Sequence, residues 1–548
     1  MKKLLFLITI APLMNFAQTH KQRKAQEKAD AITLADITAH IQYLASDSLE
    51  GRRTGTRGEL LAMKYISAQF QKDGLQPAGT NGYVQEFTID EGKQFDSSNN
   101  YLVVNDHPLV LGTDFFPLAF SGNVSAKSSA SPGLREKGAI WFWDAKDVLD
   151  DNKQNPHFDI AEAVLQQSKE AASNGGKALI VYNSSAAVDN IQFNKHDTGK
   201  TVSIPVIYVS QDALKKYFAD ATAFYNISLH VKLSPKSRKA RNVIAFINNN
   251  AANNTVIIGA HYDHLGYGED GNSLDGFGKI HNGADDNASG TAALIELARM
   301  LKSDASKNNN YLFIAFSGEE LGLLGSKYWL DHPTVAITPD YMINMDMVGR
   351  YDSARKLTIG GYGTSPEWGN IFKTATDKNL VVHFDSSGSG PSDHESFYLK
   401  NIPVLFFFTN SHPDYHKATD DWQKINFAGE VEIIDYIHEI IDSLNDKGKL
   451  AFTKTRDADS RPISLPVTLG VIPDYAYSGA GLRIDGVSKG KTAERIGLQA
   501  GDVLLQLGDY KFVDIQTYMH ALQQFKKGDK TTLRIMRGTE EKTFDVQF

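Results

Sequence analysis

Residues 256–263 have the sequence Val256-Ile257-Ile258-Gly259-Ala260-His261-Tyr262-Asp263. A short apolar run without polar alternation is typical of a strand that is buried on both faces of a parallel sheet. A histidine and an aspartate follow directly after this run. The stretch therefore predicts a buried strand that carries polar side chains to one edge of a sheet.

The same arrangement recurs three times further along the chain. Apolar runs at 311–316, 342–345 and 404–408 are each followed by acidic residues or histidines, namely Glu319 and Glu320, Asp346, and His412 and His416. Helical stretches such as 292–302 alternate with these runs. We therefore predict an α/β fold with a mainly parallel sheet and helices on both faces.

Ligands of parallel sheets bind outside the carboxyl ends of the strands, so these polar side chains should meet at one edge. Asp285 and Asp286, ahead of the helix at 292–302, join the same set. Carboxylates and neutral imidazoles suit two divalent ions a few Å apart, and one carboxylate can bridge them. The chain has no cysteine, so no thiolate is available. The sequence predicts a two-metal site.

Five motifs in this order resemble the co-catalytic dizinc aminopeptidase family, which includes bacterial leucyl-type aminopeptidases and glutamate carboxypeptidase. They are His261-Tyr262-Asp263, Gly283-Ala284-Asp285-Asp286-Asn287-Ala288-Ser289-Gly290, Ser317-Gly318-Glu319-Glu320, Asn344-Met345-Asp346 and Tyr415-His416. The resemblance implies a hydrolase that acts on peptide substrates with two Zn²⁺ per chain.

The resemblance also implies a role for each matching residue. His261 and Asp346 would hold one zinc, Glu320 and His416 the other, and Asp286 would bridge them. Asp285 would then be a neighbour of the site. Three further residues would assist: Glu319 as the general base, Asp263 as the acceptor that orients His261, and Tyr415 as a donor to the oxyanion.

The domain organisation follows from the same comparison. Residues 44–52 and the helix at 60–75 resemble the opening of bacterial family members, so the peptidase domain would be split into 31–104 and 236–447. The inserted α/β unit, 105–235, resembles a protease-associated domain through 175–182 and 204–206; a structural lid is the alternative.

A polar linker, 445–461, leads to a Gly-rich tail. This tail, 464–548, is similar to PDZ domains of bacterial proteases. Such domains capture an extended peptide by adding it as a strand. A spacer without a bound peptide is the other interpretation.

Residues 1–17 are typical of a signal peptide, with Lys2 and Lys3 before an apolar run at 4–14 and Ala17 before the predicted cut. The alternative is a membrane anchor, but the run is shorter than the roughly 20 residues that a span needs. We predict an exported protein, periplasmic or extracellular, with no membrane span in the mature chain. The net charge of −8 without a basic block gives no indication of nucleic-acid binding.

We therefore predict a zinc exopeptidase that removes N-terminal residues from peptides. The alternatives are a carboxypeptidase or dipeptidase of the same architecture, a more distant glutaminyl cyclase, and a non-enzymatic peptide-binding protein. Two features depart from the family pattern. Pro391 stands where some relatives have an arginine, and the Gly-rich loop 265–280 contains Glu269, Asp270 and Asp275, which suit either calcium or a solvated rim.

Overall fold

The structure is a computed structural model that describes residues 20–153, 158, 160–185, 187–195, 201–251, 254–304, 307–352, 357–374, 380–455, 467–473, 481–487, 490–512 and 515–548. The predicted signal peptide, 1–17, lies outside these residues. The chain divides into two compact units, Thr88–Lys239 and the remainder, Met1–Phe87 with Ala240–Phe548. No helix within the described ranges combines the length and apolar character that crossing a membrane requires.

Two helices and two strands precede the insert: α1 (His20–Leu44), α2 (Arg57–Lys72), β1 (Gln76–Pro77) and β2 (Val84–Gln94). The turn-rich stretch between the helices forms a short 3-10 helix, Asp47–Arg52. On α2, Ala62, Ile66 and Phe70 are buried and recur every four residues, so one face of the helix packs into the core.

The elements of the unit Thr88–Lys239 are β3 (Tyr101–Val104), β4 (His107–Pro108), β5 (Phe115–Pro117), β6 (Ser125–Ala130), β7 (Ile140–Asp144), α3 (Lys146–Asp151), α4 (Ile160–Ser173), β8 (Ala178–Tyr182), β9 (Val206–Val209), α5 (Gln211–Tyr217) and β10 (Tyr225–His230). In the part of this unit that the structure describes, the strands form two four-stranded sheets. One sheet has the order β4-β3-β10-β6 with antiparallel pairs, and the other has the order β5-β9-β8-β7, in which β7, β8 and β9 are parallel.

The following elements, from Ser234 onward, are β11 (Ser234–Ile247), β12 (Thr255–His261), α6 (Gly290–Ser303), β13 (Asn310–Phe316), α7 (Leu324–Asp331), β14 (Pro339–Met345), β15 (Leu357–Gly360), α8 (Trp368–Thr374), β16 (Val382–Phe384), α9 (His394–Tyr398), β17 (Val404–Phe408) and α10 (Phe427–Ser443). Within the described residues, these strands form a nine-stranded sheet with β1 and β2, in the order β1-β11-β13-β12-β14-β17-β15-β16 with β2 paired to β11.

The four central strands, β13, β12, β14 and β17, are parallel, and the outer pairs β11–β13 and β15–β17 are antiparallel. Alternate residues of β12 enter different cores. Val256 and Ile258 pack with α1, α2, α6 and α10, whereas Ile257 packs with α7 and α9. Both faces are thus covered by helices, which is why the strands are apolar throughout. The predicted fold class is confirmed.

The C-terminal segment is built around its own apolar core, which includes Leu469, Leu504 and Leu533. Its strand pairs are antiparallel throughout the described residues. The elements are β18 (Val471–Pro473), β19 (Leu482–Val487), α11 (Thr492–Arg495), β20 (Val503–Leu507), β21 (Tyr510–Lys511), α12 (Ile515–Leu522), β22 (Lys530–Arg537) and β23 (Glu540–Gln547).

Part of the predicted linker, 445–461, packs against the core beneath the nine-stranded sheet. Leu450 is buried in that core, and its amide donates to Asp340 at 2.7 Å. The Phe452 ring lies beside Tyr398, with ring centroids 5.7 Å apart. The amide of Thr455 donates to the Tyr398 hydroxyl at 3.0 Å.

Candidate metal centre

The carboxyl ends of the parallel strands bring the predicted site residues together. His261 is the last residue of β12, Asp346 follows β14 directly, and Glu319 and Glu320 lie three and four residues beyond β13. His416 lies in the loop that follows β17. Asp286 lies in the wide turn Ala284–Ser289 that leads into α6. Parallel strands end at the same edge, so side chains from distant parts of the chain meet there.

Two histidines present the same ring nitrogen to the centre of the site. Nδ1 of His261 lies 3.2 Å from the carbonyl oxygen of Asp263, and Nδ1 of His416 lies 2.9 Å from that of Asn272. A carbonyl oxygen only accepts, so each Nδ1 carries the proton and donates it. Each Nε2 is then unprotonated in the neutral ring and available as a metal ligand.

Asp286 lies between these two nitrogens. Its Oδ1 is 3.4 Å from Nε2 of His261, and its Oδ2 is 3.2 Å from Nε2 of His416. Asp346 Oδ1 completes the first side at 3.3 Å from His261 Nε2, and Glu320 Oε2 completes the second at 3.3 Å from His416 Nε2. One carboxylate therefore links two sets of ligand-type atoms.

These spacings fit zinc. Ligand atoms at about 2.0–2.1 Å from a tetrahedral zinc ion lie about 3.3–3.4 Å from one another. The spacings between Asp346 and His261 and between His416 and Glu320, 3.3 Å each, match this edge length. The ligand types, imidazole nitrogen and carboxylate oxygen, are also those that zinc binds.

The two adjacent glutamates occupy different places. Glu320 lies within the zinc-type spacing of His416, whereas Glu319 Oε2 is 3.9 Å from Nε2 of His261. The backbone amide of Glu319 donates to Asp263 Oδ1 at 3.2 Å, and Thr54 donates to Asp263 Oδ2 at 2.7 Å. The carboxylate of Asp263 thus fixes the backbone of Glu319. Nδ1 of His261 lies 3.8 Å from this carboxylate but only 3.2 Å from the carbonyl oxygen of Asp263, so the carbonyl oxygen is its acceptor.

The electrostatics of the cluster favour a bound cation. Burial raises the pKa of Glu319 well above its usual value, and the neighbouring Asp346 and Glu320 add to the increase while His261 opposes it. Burial also raises the pKa of Glu320. Several carboxylates held together out of water are costly unless positive charge compensates them. A divalent cation would supply that charge.

Arg52 lies behind the site and is 1% exposed. Its guanidinium donates to four carbonyl oxygens at 2.6–2.9 Å, those of Leu44, Tyr262, Asn282 and Gly283. Tyr262 follows His261 directly, and Asn282 and Gly283 directly precede the turn that carries Asp286. Burial lowers the pKa of Arg52 to about 10, so the group stays charged at neutral pH. Arg52 therefore ties the two ligand-bearing loops together.

Asp420 holds the same turn from another direction. Its Oδ2 accepts from the backbone amides of Asp285 and Asp286, at 2.9 and 3.1 Å. The side chain of Asp285 points elsewhere, with Oδ2 3.1 Å from Nε2 of His412 and Oδ1 accepting from Gly349 at 2.7 Å. Asp285 and His412 thus form a buried pair beside the site.

A cavity of about 200 Å³ opens onto the ligands. Tyr415 lines it and stacks on His416, with ring centroids 3.9 Å apart. The remaining wall is largely apolar, formed by Met347, Pro391, Phe406 and Phe408 with Ser411. Pro391, which stands where some relatives have an arginine, is therefore part of the cavity wall.

The Gly-rich loop 265–280 contacts the site directly. Its acids are paired with basic groups: Asp270 with Arg53 at 2.8 Å, and Asp275 with His281 at 2.8 Å. The groups in the described residues that could hold a metal are the two at the sheet edge, His261 with Glu319 and Asp346, and His264 with Asp286 and Glu320. The loop instead supplies Asn272, which accepts from His416.

His264 is a site residue that we did not predict from the sequence. It is fully buried, and its Nδ1 lies 2.8 Å from Glu320 Oε1. Burial lowers the pKa of His264 well below its usual value. The sequence did contain an indication of this residue, because His264 is a second histidine shortly after the strand, in His261-Tyr262-Asp263-His264. Asn272 had no comparable signal, because its contact with His416 joins residues 144 positions apart.

Known families match two parts of the chain. The family model described as Peptidase family M28 matches residues 242–441, and that of the PDZ domain matches residues 452–548. Aminopeptidase YwaD of Bacillus subtilis (strain 168) is 30% identical over 455 residues, which cover 78% of this chain and 90% of that protein. A probable leucine aminopeptidase of Trichophyton verrucosum (strain HKI 0517) is 33% identical over 212 residues, 35% of this chain and 53% of that protein.

Solved structures include similar chains. The aminopeptidase from Aneurinibacillus sp. strain AM-1 is 22% identical with a TM-score of 0.42, over 78% of this chain and 96% of that chain. BSAP, a zinc aminopeptidase from Bacillus subtilis, gives the same values. The PDZ match confirms the PDZ domain that the tail predicted. The extent and identity of the match to aminopeptidase YwaD confirm the family that the five motifs predicted: the chain belongs to peptidase family M28.

Proposed function

We propose that this protein is an exported aminopeptidase that uses two zinc ions, bridged by Asp286, to remove N-terminal residues from peptides. A zinc exopeptidase of the aminopeptidase type agrees with the family and with the relatives that match it. The position of Asp286 carries the two-ion proposal, because its two oxygens lie 3.4 and 3.2 Å from Nε2 of different histidines. His261 and Asp346 would hold one ion, and His416 and Glu320 the other.

When bound, the zinc pair supplies a water of lowered pKa and a Lewis acid for the scissile carbonyl. Glu319 takes the proton from the attacking water and passes it to the leaving amine. The proton that leaves the water thus ends on the new N-terminus of the shortened peptide. Tyr415 lies in the cavity wall, where its hydroxyl donates to the oxygen that becomes negative.

The cavity supports a substrate that enters with its N-terminus first. Carboxylates at its base suit a positively charged α-amino group, and Met347, Phe406 and Phe408 form an apolar wall for the side chain of the N-terminal residue. With a volume of about 200 Å³, the cavity suits one residue at a time.

Three peptides of one sequence test this function. We expect rapid release of the first residue from the free peptide and from its C-terminal amide, and no release from the N-acetylated peptide. Hydrolysis of the N-acetylated peptide with loss of activity on the amide would instead indicate a carboxypeptidase. Cleavage of dipeptides alone would indicate a dipeptidase, and no hydrolysis in the presence of zinc would favour the non-enzymatic binding protein.

The remaining assignments extend the proposal to the other parts of the chain. The signal-like residues 1–17 support export to the periplasm or the exterior. The insert acts as a protease-associated-like domain or as a lid. The tail captures an extended peptide along β18, which stands first in the strand order of its sheet among the described residues. Fluorescence titration of the tail with peptides tests peptide capture, and fractionation of cells that express the full chain tests export.

A further inference from the structure

The second zinc position contains one histidine more than the proposed ligand set uses. His264, Asp286 and Glu320 lie close enough to form a metal-binding group of their own. His264 Nδ1 is 2.8 Å from Glu320 Oε1 and 3.9 Å from Asp286 Oδ2. Either His264 is itself a ligand, or it holds a ligand in place.

The distances distinguish these two roles. Ligand atoms around a tetrahedral zinc ion are about 3.3–3.4 Å apart, as His416 and Glu320 are. The 2.8 Å between His264 and Glu320 is shorter and has the length of a charge-assisted hydrogen bond. The proton of that bond belongs to Nδ1, because an ionised carboxylate only accepts.

The ring of His264 is also fixed in position. The backbone amide of His264 donates to the carbonyl oxygen of Arg52 at 3.3 Å. The ring packs against Gly283, where φ is +56° and where an added Cβ would clash with Cδ2 of His264. The side chain therefore has little freedom to turn toward Asp286.

Glu320 is thus held at both carboxylate oxygens. Oε1 accepts from His264, and Oε2 is left to face Nε2 of His416 at 3.3 Å. Asn272 Nδ2 donates both to the carbonyl oxygen of Glu320, at 3.2 Å, and to Oε2, at 3.4 Å. A carboxylate oxygen can accept more than once, so Oε2 keeps a lone pair for the metal beside this long contact.

We propose that His264 is a positioning residue of the second zinc site, which donates from Nδ1 to Glu320 Oε1 and thereby makes Glu320 a ligand through Oε2 alone. The inference rests on the proposed two-zinc function. Partners of this kind typically contribute 10- to 100-fold to metal affinity or activity.

The test compares two substitutions in the full chain. Asparagine places an amide donor near the position of Nδ1, whereas leucine has no donor. We expect His264→Leu to weaken the second zinc-binding step at least about 10-fold and to leave the first step unchanged. His264→Asn should recover most of that loss. His40→Leu and His40→Asn are matched controls, because His40 is buried and hydrogen-bonded to Tyr65 away from the site.

Zinc affinities come from competition with chelators, followed by metal analysis. The visible spectrum of the cobalt-substituted protein gives a second measurement, because exchange of a direct ligand changes it. We expect the spectrum of His264→Asn to match that of the parent protein. A changed spectrum, or an Asn variant as defective as the Leu variant, would overturn the donor role.

A double substitution tests whether His264 acts through Glu320. If it does, His264→Leu combined with Glu320→Gln should lose no more zinc affinity than Glu320→Gln alone. Additive losses would contradict the inference. The parent protein separates the two claims: fewer than two zinc-binding steps there contradict the proposed function, whereas two steps that remain unchanged in His264→Leu contradict this inference alone.

Discussion

Glu319 and Glu320 are consecutive, yet their carboxylates lie against different histidines: Glu319 Oε2 is 3.9 Å from Nε2 of His261, and Glu320 Oε2 is 3.3 Å from Nε2 of His416. The wider spacing leaves Glu319 outside the proposed ligand set. We therefore expect Glu319→Gln to retain both zinc ions and to lower kcat at least about 100-fold, because the amide cannot accept the proton of water. Metal analysis and turnover of the same sample test this. Loss of zinc from this variant would assign Glu319 to the ligands.

Glu320→Gln should give the opposite pattern. It removes an anionic ligand, so we expect the affinity for one zinc ion to fall, and excess zinc to restore part of the activity. Activity measured against free zinc concentration tests this expectation. A Glu320→Gln variant that keeps two tightly bound ions and loses only turnover would show that the assigned roles of the two glutamates are reversed.

Arg52→Met tests the support behind the site. The substitution removes the donor of four buried carbonyl oxygens and leaves them without that partner. We expect the free energy of unfolding to fall by at least about 2 kcal/mol, because unsatisfied buried polar groups are costly. Urea unfolding measures the change. Arg57→Met is the control, since 66% of the Arg57 side chain is exposed, and equal effects of the two substitutions would refute the supporting role.

The strand ends explain why the main ligands could be predicted from the sequence. In a parallel sheet, strand direction alone places His261, Glu320 and Asp346 at one edge, so local patterns suffice. His264 also lies just after the end of β12, but its role depends on a contact with Glu320, 56 positions away, that strand direction alone does not determine. The contact of Asn272 depends on how the loop 265–280 folds back onto His416, which no local periodicity determines.

The end of the peptidase core was difficult to locate for a related reason. Residues 445–461 are polar and lack regular periodicity, so they resemble a linker. In the structure, however, Leu450 is buried in the peptidase core, the partly buried Phe452 packs against it, and Thr455 contacts Tyr398. A few apolar residues within a polar stretch give no secondary-structure signal, although they make tertiary contacts with the core. The boundaries of the insert remain predictions.

Two truncated proteins test this boundary. A chain that ends after residue 455 should fold and hydrolyse a small aminoacyl amide as the full chain does, because the C-terminal segment has its own core. A chain that ends after residue 445 lacks Leu450 and Phe452, and we expect its thermal midpoint to be several degrees lower because their cavities remain unfilled. Thermal unfolding and hydrolysis of the amide are measured on both. Equal midpoints would show that residues 450–455 add nothing to the core.

Reconstitution of the metal-free enzyme tests the two-zinc centre most directly. Asp286 links two ligand sets, so activity on a peptide with a free N-terminus should rise with added zinc until two equivalents per chain are bound. Asp286→Asn should weaken both binding steps, because the bridge serves both ions. Zinc content and peptide hydrolysis are followed in the same titration. Full activity at one equivalent, or without zinc, would contradict the account.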